Sequence, residues 1–138
     1  MRIVLLTQED PFYLPSAIED FIKLIKKQIN YELISVIVSS ASPFGKRKGF
    51  FEKIFNTYSI FGFSFFLYYM FKFIYNKLFR LSVSAVVKKH SINLWTLNDN
   101  INSKKNIKKL SELKPDVVII IAGNQIIKKK LLTIPEFG

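Results

Sequence analysis

The chain has no cysteine, a single histidine and only five glycines in 138 residues. Without cysteine there is no disulfide framework, no thiolate metal site and no cysteine nucleophile, a composition that fits a reducing, cytoplasmic setting. The one histidine, His90, lies in Lys88-Lys89-His90-Ser91 and reads as a surface residue near a helix end. No His-rich ligand set and no carboxylate–histidine pair at local spacing can be drawn, so no metal is expected. Glycine is missing where a dinucleotide would need it. Thr7-Gln8-Glu9-Asp10-Pro11 follows the first apolar run with no glycine, and the close backbone approach to a pyrophosphate depends on that residue. NAD and FAD binding are excluded on that ground, and no Walker A sequence occurs. A long leading apolar run is absent too. Met1-Arg2 is followed by four apolar residues and then Thr7-Gln8-Glu9-Asp10, too short for a signal peptide.

What is present suits one ordered domain. Apolar residues make up 49% of the chain, enough to build a core at this length. The net charge of +11 is uneven: residues 1–45 sum to −1, residues 46–90 to +8 and residues 91–138 to +4. Such a field attracts polyanions, among them tRNA, nucleotide-sugars and anionic lipid. General lysine usage in an Ile/Asn/Lys-rich proteome would give a similar excess, so the charge does not choose among these partners.

Arg2–Thr7 reads as a buried strand. Ser16-Ala17-Ile18-Glu19 has the form of a capping box, followed by Ile18, Phe21, Ile22, Ile25 and Ile29 at helical spacing. The pattern predicts a helix from about Ser16 to Gln28. Leu33–Ser39 reads as a second strand, and strand–helix–strand within forty residues is a right-handed βαβ unit with parallel strands. Further on, Ser84–Ser91 suits a helix end and Ile92–Leu97 a short strand. Ser103–Leu113 suits an amphipathic helix, stopped by Pro115. Asp116–Ile121, apolar throughout after its first residue, is expected to be the most deeply buried strand. A short basic helix is expected after it. The alternation predicts an α/β fold, a doubly wound parallel sheet with helices on both faces. A strand order of 3-2-1-4 would bring Thr7–Pro11 and Ala122–Gln125 together at the carboxyl ends of the first and fourth strands. Glu9 and Asp10 border that crevice, and both also suit an ordinary turn before a proline.

Residues 44–81 break the rhythm and read as an aromatic and basic helical insertion within the single domain 1–138. Phe44-Gly45-Lys46-Arg47-Lys48-Gly49 is a basic turn. From Ile54 to Phe71 there is no charged residue, and nine of the eighteen are aromatic. Three readings stand: helices packed on the sheet or on another part of the protein, a membrane-surface helix through 54–80 with Lys72, Lys77 and Arg80 at its basic end, or a span. Eighteen helical residues reach about 27 Å, just short of the roughly 30 Å hydrocarbon core. Aromatic stacking on single-stranded nucleic acid is a weaker reading, since clustered Phe without an RNA-binding motif is usually core.

Five local patterns occur in a consistent order: Phe12-Tyr13-Leu14-Pro15-Ser16, Lys88-Lys89-His90-Ser91-Ile92-Asn93, Lys114-Pro115-Asp116 with its apolar strand, Ala122-Gly123-Asn124-Gln125-Ile126-Ile127, and Pro135-Glu136-Phe137-Gly138. The succession resembles the amino-terminal part of the folate-dependent formyltransferases, the group that includes methionyl-tRNA, glycinamide ribonucleotide and sugar formyltransferases. That resemblance implies transfer of a formyl group from 10-formyltetrahydrofolate to the amine of an aminoacyl-tRNA or nucleotide-sugar. It assigns Ala122, Gly123, Asn124, Gln125, Ile126 and Ile127 to the pterin pocket. Gly123 and Asn124 stand where the family carries tyrosine and glycine, and either tolerates a positive φ. No catalytic residue can be assigned, because the family's Asn-x-His segment would fall beyond Gly138. On that expectation these 138 residues by themselves are inactive. The rival reading is a non-catalytic, membrane-peripheral or interaction protein that works through its aromatic-basic segment.

Overall fold

The computed structural model describes residues 1–10, 12–40, 50–78 and 82–137. The basic turn at 44–49, Pro11 in the first turn, Phe79 and Arg80 in the aromatic-basic segment, and the terminal Gly138 lie outside them.

Four strands form the sheet, β1 (Arg2–Gln8), β2 (Glu32–Ser39), β3 (Asn93–Leu97) and β4 (Val117–Ile120), in the order β3-β2-β1-β4. Every pairing is parallel, with Val4 opposite Ser35 and Val118, and Ile37 opposite Trp95. The expected α/β doubly wound arrangement and the expected strand order are both present.

The period-2 alternation of side chains divides the core in two. Leu5, Val36 and Val38 point to one face, where α1 (Leu14–Lys26) adds Ile18 and Ile22 and α3 (Val83–Lys89) adds Val83, Val86 and Val87. Val4, Leu6 and Ile37 point to the other, meeting Trp95, Leu97, Ile101, Leu110 of α4 (Lys104–Glu112) and Leu131 of α5 (Lys129–Leu132). Ile18 and Ile22 are fully buried, so each stabilises the helix–sheet contact by about 1.5–3 kcal/mol.

Three local expectations need correction. Ser16 does not cap α1. Its hydroxyl donates to the Tyr13 carbonyl at 3.0 Å, and Glu19 turns outward to Lys89 and Lys23. The helix starts two residues earlier because Asp10 accepts from the backbone N–H groups of Phe12, Tyr13 and Leu14 at 3.1, 2.9 and 3.1 Å. A carboxylate beside the orphan donors of a first turn outcompetes a serine already inside it. The helix also ends before Ile29, which is fully exposed. Finally, among the described residues β4 is an edge strand bonded to β1 alone. Its residues are half-buried and Ile120 is 43% exposed, so it is not the deepest strand. An apolar run records that a strand has covered faces; it does not record the strand's place in the order.

Residues Phe50–Leu78, α2, are helical on both sides of Gly62, where φ 78° and ψ 176° break the ladder. Among described residues no helix is long and apolar enough to cross a membrane. Of its described side chains, Ile60, Phe63, Phe71 and Leu78 are exposed.

Candidate functional site

The direction of chain travel reverses between β1 and β4, and the loops leaving their carboxyl ends meet there, the place where open α/β sheets bind ligands. Gln8, Glu9 and Asp10 leave β1, and residues 121–128 leave β4.

The two carboxylates at this crevice are engaged as helix caps. Asp10 holds the start of α1, as described. Glu9 reaches the start of α3, accepting from the Val83 N–H at 2.8 Å, the Ser84 N–H at 3.4 Å and the Ser84 hydroxyl at 2.6 Å. Ser82 completes that terminus by accepting from the Ala85 N–H at 3.1 Å. Each carboxylate faces the orphan N–H donors of a helix N-terminus. Glu9 and Asp10 thus build the rim of the crevice and are already committed to backbone donors.

The loop after β4 is fastened by its own polar side chains. The Ser39 hydroxyl, at the end of β2, donates to Asn124 Oδ1 at 2.9 Å and lies 3.2 Å from the Thr7 carbonyl. Asn124 Nδ2 donates to the Ser40 carbonyl at 2.7 Å. Gln125 bridges to the loop after β3, accepting from the Ile101 N–H at 2.7 Å and donating to the Asp99 carbonyl at 3.2 Å. Asn102 returns the bond, donating to the Ile126 carbonyl at 2.8 Å and accepting from the Lys128 N–H at 2.8 Å. The carboxyl ends of β2, β3 and β4 are therefore tied into one rigid surface.

Of the six residues assigned to the loop site, Asn124 and Gln125 are structural ties. Ile127 packs against the core, and Ile126 is 80% exposed. The positive φ falls at Ala122, 54°, and not at Gly123 or Asn124, the two residues that would tolerate it best. What Gly123 supplies is space, since a Cβ there would lie 2.7 Å from Ile120 Cγ2. Leu6, Ser39, Leu97, Ile101, Gly123, Asn124 and Gln125 close on one another so tightly that nothing the size of water enters between them. A ligand at this loop would lie on its outer surface, against backbone groups and the exposed Ile126.

Sequence reasoning missed Ser39, Asp99 and Asn102. Ser39 was visible as the polar end of a β-branched run; Asp99 and Asn102 look like any turn residues until the loops meet. It also missed a polar and aromatic junction on the rim. Tyr69 of α2 lies 5.1 Å from the Phe12 ring, and its hydroxyl is 3.2 Å from that of Tyr13. Lys72 stands 4.2 Å from the centre of the Tyr13 ring. The hydrogen bond with Tyr69, and then Lys72, hold the Tyr13 hydroxyl below the ordinary tyrosine range, while the same bond raises that of Tyr69.

His90 is largely covered, contrary to the surface reading. Its Nδ1 is 3.4 Å from Lys26 Nζ, and its Nε2 is 3.9 Å from Glu19 Oε1. It closes α3, and Ser91 after it takes φ 57°, with the Ser91 N–H bonding to the Lys88 carbonyl and the Ile92 N–H to Val87. A left-handed position just past a helix end is one that glycine usually fills. No group of three or more His, Asp or Glu residues that could hold a metal occurs among the described residues.

No protein-family model matches the chain. Over 62 residues it is 37% identical to the methionyl-tRNA formyltransferase of Clostridium beijerinckii, a match that takes in 43% of this chain and 20% of that enzyme. The chain thus aligns with about a fifth of the length of this relative. The match shows a formyltransferase-like relationship and is silent on everything outside the aligned stretch.

Proposed function

We propose that this chain is the folate-side part of a formyltransferase, carrying a formyl group from 10-formyltetrahydrofolate to the amine of an aminoacyl-tRNA. The observation that carries the reading is the rigid loop after β4, placed at the strand-order reversal and bordered by the exposed Ile126. The formyltransferase match supports it.

A pterin has a fixed donor–acceptor edge and a flat apolar face. Recognition of such a group calls for backbone groups held in place and an apolar side chain beside them. Asn124 and Gln125 supply the first condition by tying the loop to β2 and to the loop after β3. Ile126 supplies the second. The loop fits the outer side of a pterin site rather than an enclosing pocket, so Ala122, Gly123 and Ile126 are the residues that would meet the ring. When bound, 10-formyltetrahydrofolate supplies the formyl carbon that the acceptor nitrogen takes. Glu9 and Asp10 do not serve as the proton-transferring carboxylate in this reading, because their oxygens already accept from two helix termini. The net charge of +11 favours a polyanionic acceptor, and tRNA is preferred over a nucleotide-sugar because the matched enzyme acts on a tRNA.

The test has two arms. A tetrahydrofolate analogue is titrated against the chain, with binding expected and its complete absence overturning the loop assignment. The whole gene product is then offered methionyl-tRNA and an amino-sugar nucleotide beside 10-formyltetrahydrofolate. Formylation of the tRNA alone is expected, and formylation of the sugar alone would overturn the acceptor.

A further inference from the structure

A group of lysines on α4 and around α5 serves neither the core nor the loop site. Lys104, Lys105 and Lys108 of α4 are exposed, as are Lys128, Lys129 and Lys130. Among the described residues none of the six side chains forms an ion pair or a hydrogen bond. The other face of the sheet treats its lysines differently. There Lys23 and Lys89 meet Glu19 at 3.4 and 2.9 Å, and Lys26 donates to the His90 carbonyl at 3.2 Å. A general excess of lysine does not explain why one face is paired and the other is not.

The fold gathers the unpaired lysines at one end. Helix α4 follows β3 and α5 follows β4, so both start at the carboxyl ends of parallel strands. Asn102 joins the two starts, donating to the Ile126 carbonyl and accepting from the Lys128 N–H. Lys104 and Lys105 therefore open one helix and Lys129 and Lys130 the other, beside the loop that carries Ile126. This placement works against the helices. Lys104 and Lys108 repel as like charges at i,i+4, and a first turn favours acidic side chains, of which α4 has none. Nearby acids do not offset the charge, since Asp99 accepts from the Asn106 amide at 2.6 Å and Glu112 lies at the far end of α4.

The chemistry of the surface selects its occupant. Ammonium groups on flexible stems bind phosphates as point charges, and a polyanion that meets several at once releases its own counterions. A lipid surface would also call for apolar side chains beside the cations. Helix α4 exposes its lysines, Ser111 and Glu112, and no large apolar side chain. A nucleic-acid backbone needs only the charge.

We propose that α4 and α5 present a phosphate-binding surface for RNA, on which Lys104, Lys105, Lys128, Lys129 and Lys130 hold the backbone of a tRNA beside the loop after β4. The choice of tRNA rests on the formyltransferase reading; the surface itself does not.

The test is titration of a labelled tRNA with the full chain, followed by fluorescence anisotropy at several salt concentrations, beside sedimentation with anionic phospholipid vesicles. The logarithm of affinity should fall linearly with that of salt. Lys104→Gln with Lys105→Gln and Lys129→Gln should weaken binding about tenfold or more at low salt and make the slope shallower by about two to three. Lys23→Gln with Lys27→Gln and Lys88→Gln removes the same charge from the α1–α3 face and should leave affinity and slope close to the parent's. Lys104→Arg with Lys105→Arg and Lys129→Arg should bind like the parent, which separates charge from folding. Equal weakening by the two glutamine sets, or no binding of tRNA at low salt, would overturn the proposal. So would binding to the vesicles without binding to tRNA. A chain that holds tRNA through these lysines but takes no folate analogue would sink the formyltransferase reading and keep the surface. One that takes the analogue but no tRNA would sink the surface alone.

Discussion

Ser39 and Asn124, 85 positions apart in the chain, are joined by a 2.9 Å hydrogen bond from the serine hydroxyl to the amide oxygen. The bond crosses from the end of β2, over β1, to the loop after β4. Through the second bond of Asn124, to the Ser40 carbonyl, it sets the shape of the candidate folate surface. Removing either partner should cost about 0.5–1.5 kcal/mol of stability, with the buried Ser39→Ala at the upper end. A double-mutant cycle with Asn124→Ala in urea measures the coupling. Additive losses would show that the two side chains act separately.

Glu9 unites two parts of the structure by capping α3 from the end of β1. Glu9→Ala should destabilise the protein by about 1–2 kcal/mol, and Glu9→Gln by less, because an amide oxygen still accepts one of the bonds. Thermal unfolding of the three proteins gives the order. If Glu9→Ala were neutral, the carboxylate would be free for other work at the crevice.

Ser91 holds a left-handed backbone at the Schellman turn that ends α3. Glycine removes the Cβ clash there, so Ser91→Gly should raise stability by about 0.5–1 kcal/mol, and Ser91→Val should lower it by more. Urea midpoints are sufficient to separate the signs.

The Glu19 carboxylate receives Lys89 Nζ at 2.9 Å and Lys23 Nζ at 3.4 Å, with His90 Nε2 at 3.9 Å. The hydrogen bond from Lys89, with further help from Lys23, holds it below the ordinary glutamate range. A carboxylate depressed in the folded state contributes stability above its unfolded value, and this is lost as pH falls through the folded one. The α1–α3 contact should therefore weaken only in acid, below the ordinary glutamate range. Glu19→Gln should lower the neutral plateau by the small amount that the parent loses in acid, so that the acid limb is shallower and the two curves converge at low pH, as for an exposed ion pair. An unchanged acid limb would remove Glu19 from that account.

Gly123 lacks room for a side chain because of one methyl group, Ile120 Cγ2 at 2.7 Å from an added Cβ. The β-branched Ile120 is stiff and yields poorly. Gly123→Ala should lower stability and weaken binding of a folate analogue, Gly123→Val should weaken it further, and Lys129→Ala should leave it unchanged. Ile120→Leu, which removes the offending methyl, should restore much of the loss in Gly123→Ala. Equal affinity in the parent, Gly123→Val and Lys129→Ala would take the loop out of the folate site.

By itself the sequence determined the elements and their alternation. Ile18, Ile22 and Ile25 at helical spacing mark one helix, and the β-branched run ending at Ser39 marks a strand. The right-handed βαβ rule then leaves few sheet orders, and the one expected is the one present. These are short-range properties: a stripe of apolar residues or a turn is encoded within a dozen positions. The tertiary structure alone decided which polar residues were free. Glu9, Asp10, Asn124 and Gln125 are plausible ligand contacts as letters, yet helix termini and neighbouring loops occupy them, because a buried backbone donor demands an acceptor. It also decided that β4 lies at the edge and that Ala122 takes the left-handed turn. It left Phe63, Tyr68 and Phe71 of α2 exposed. Each of these depends on which chain segment arrives alongside, tens of residues away, and no local pattern carries that information.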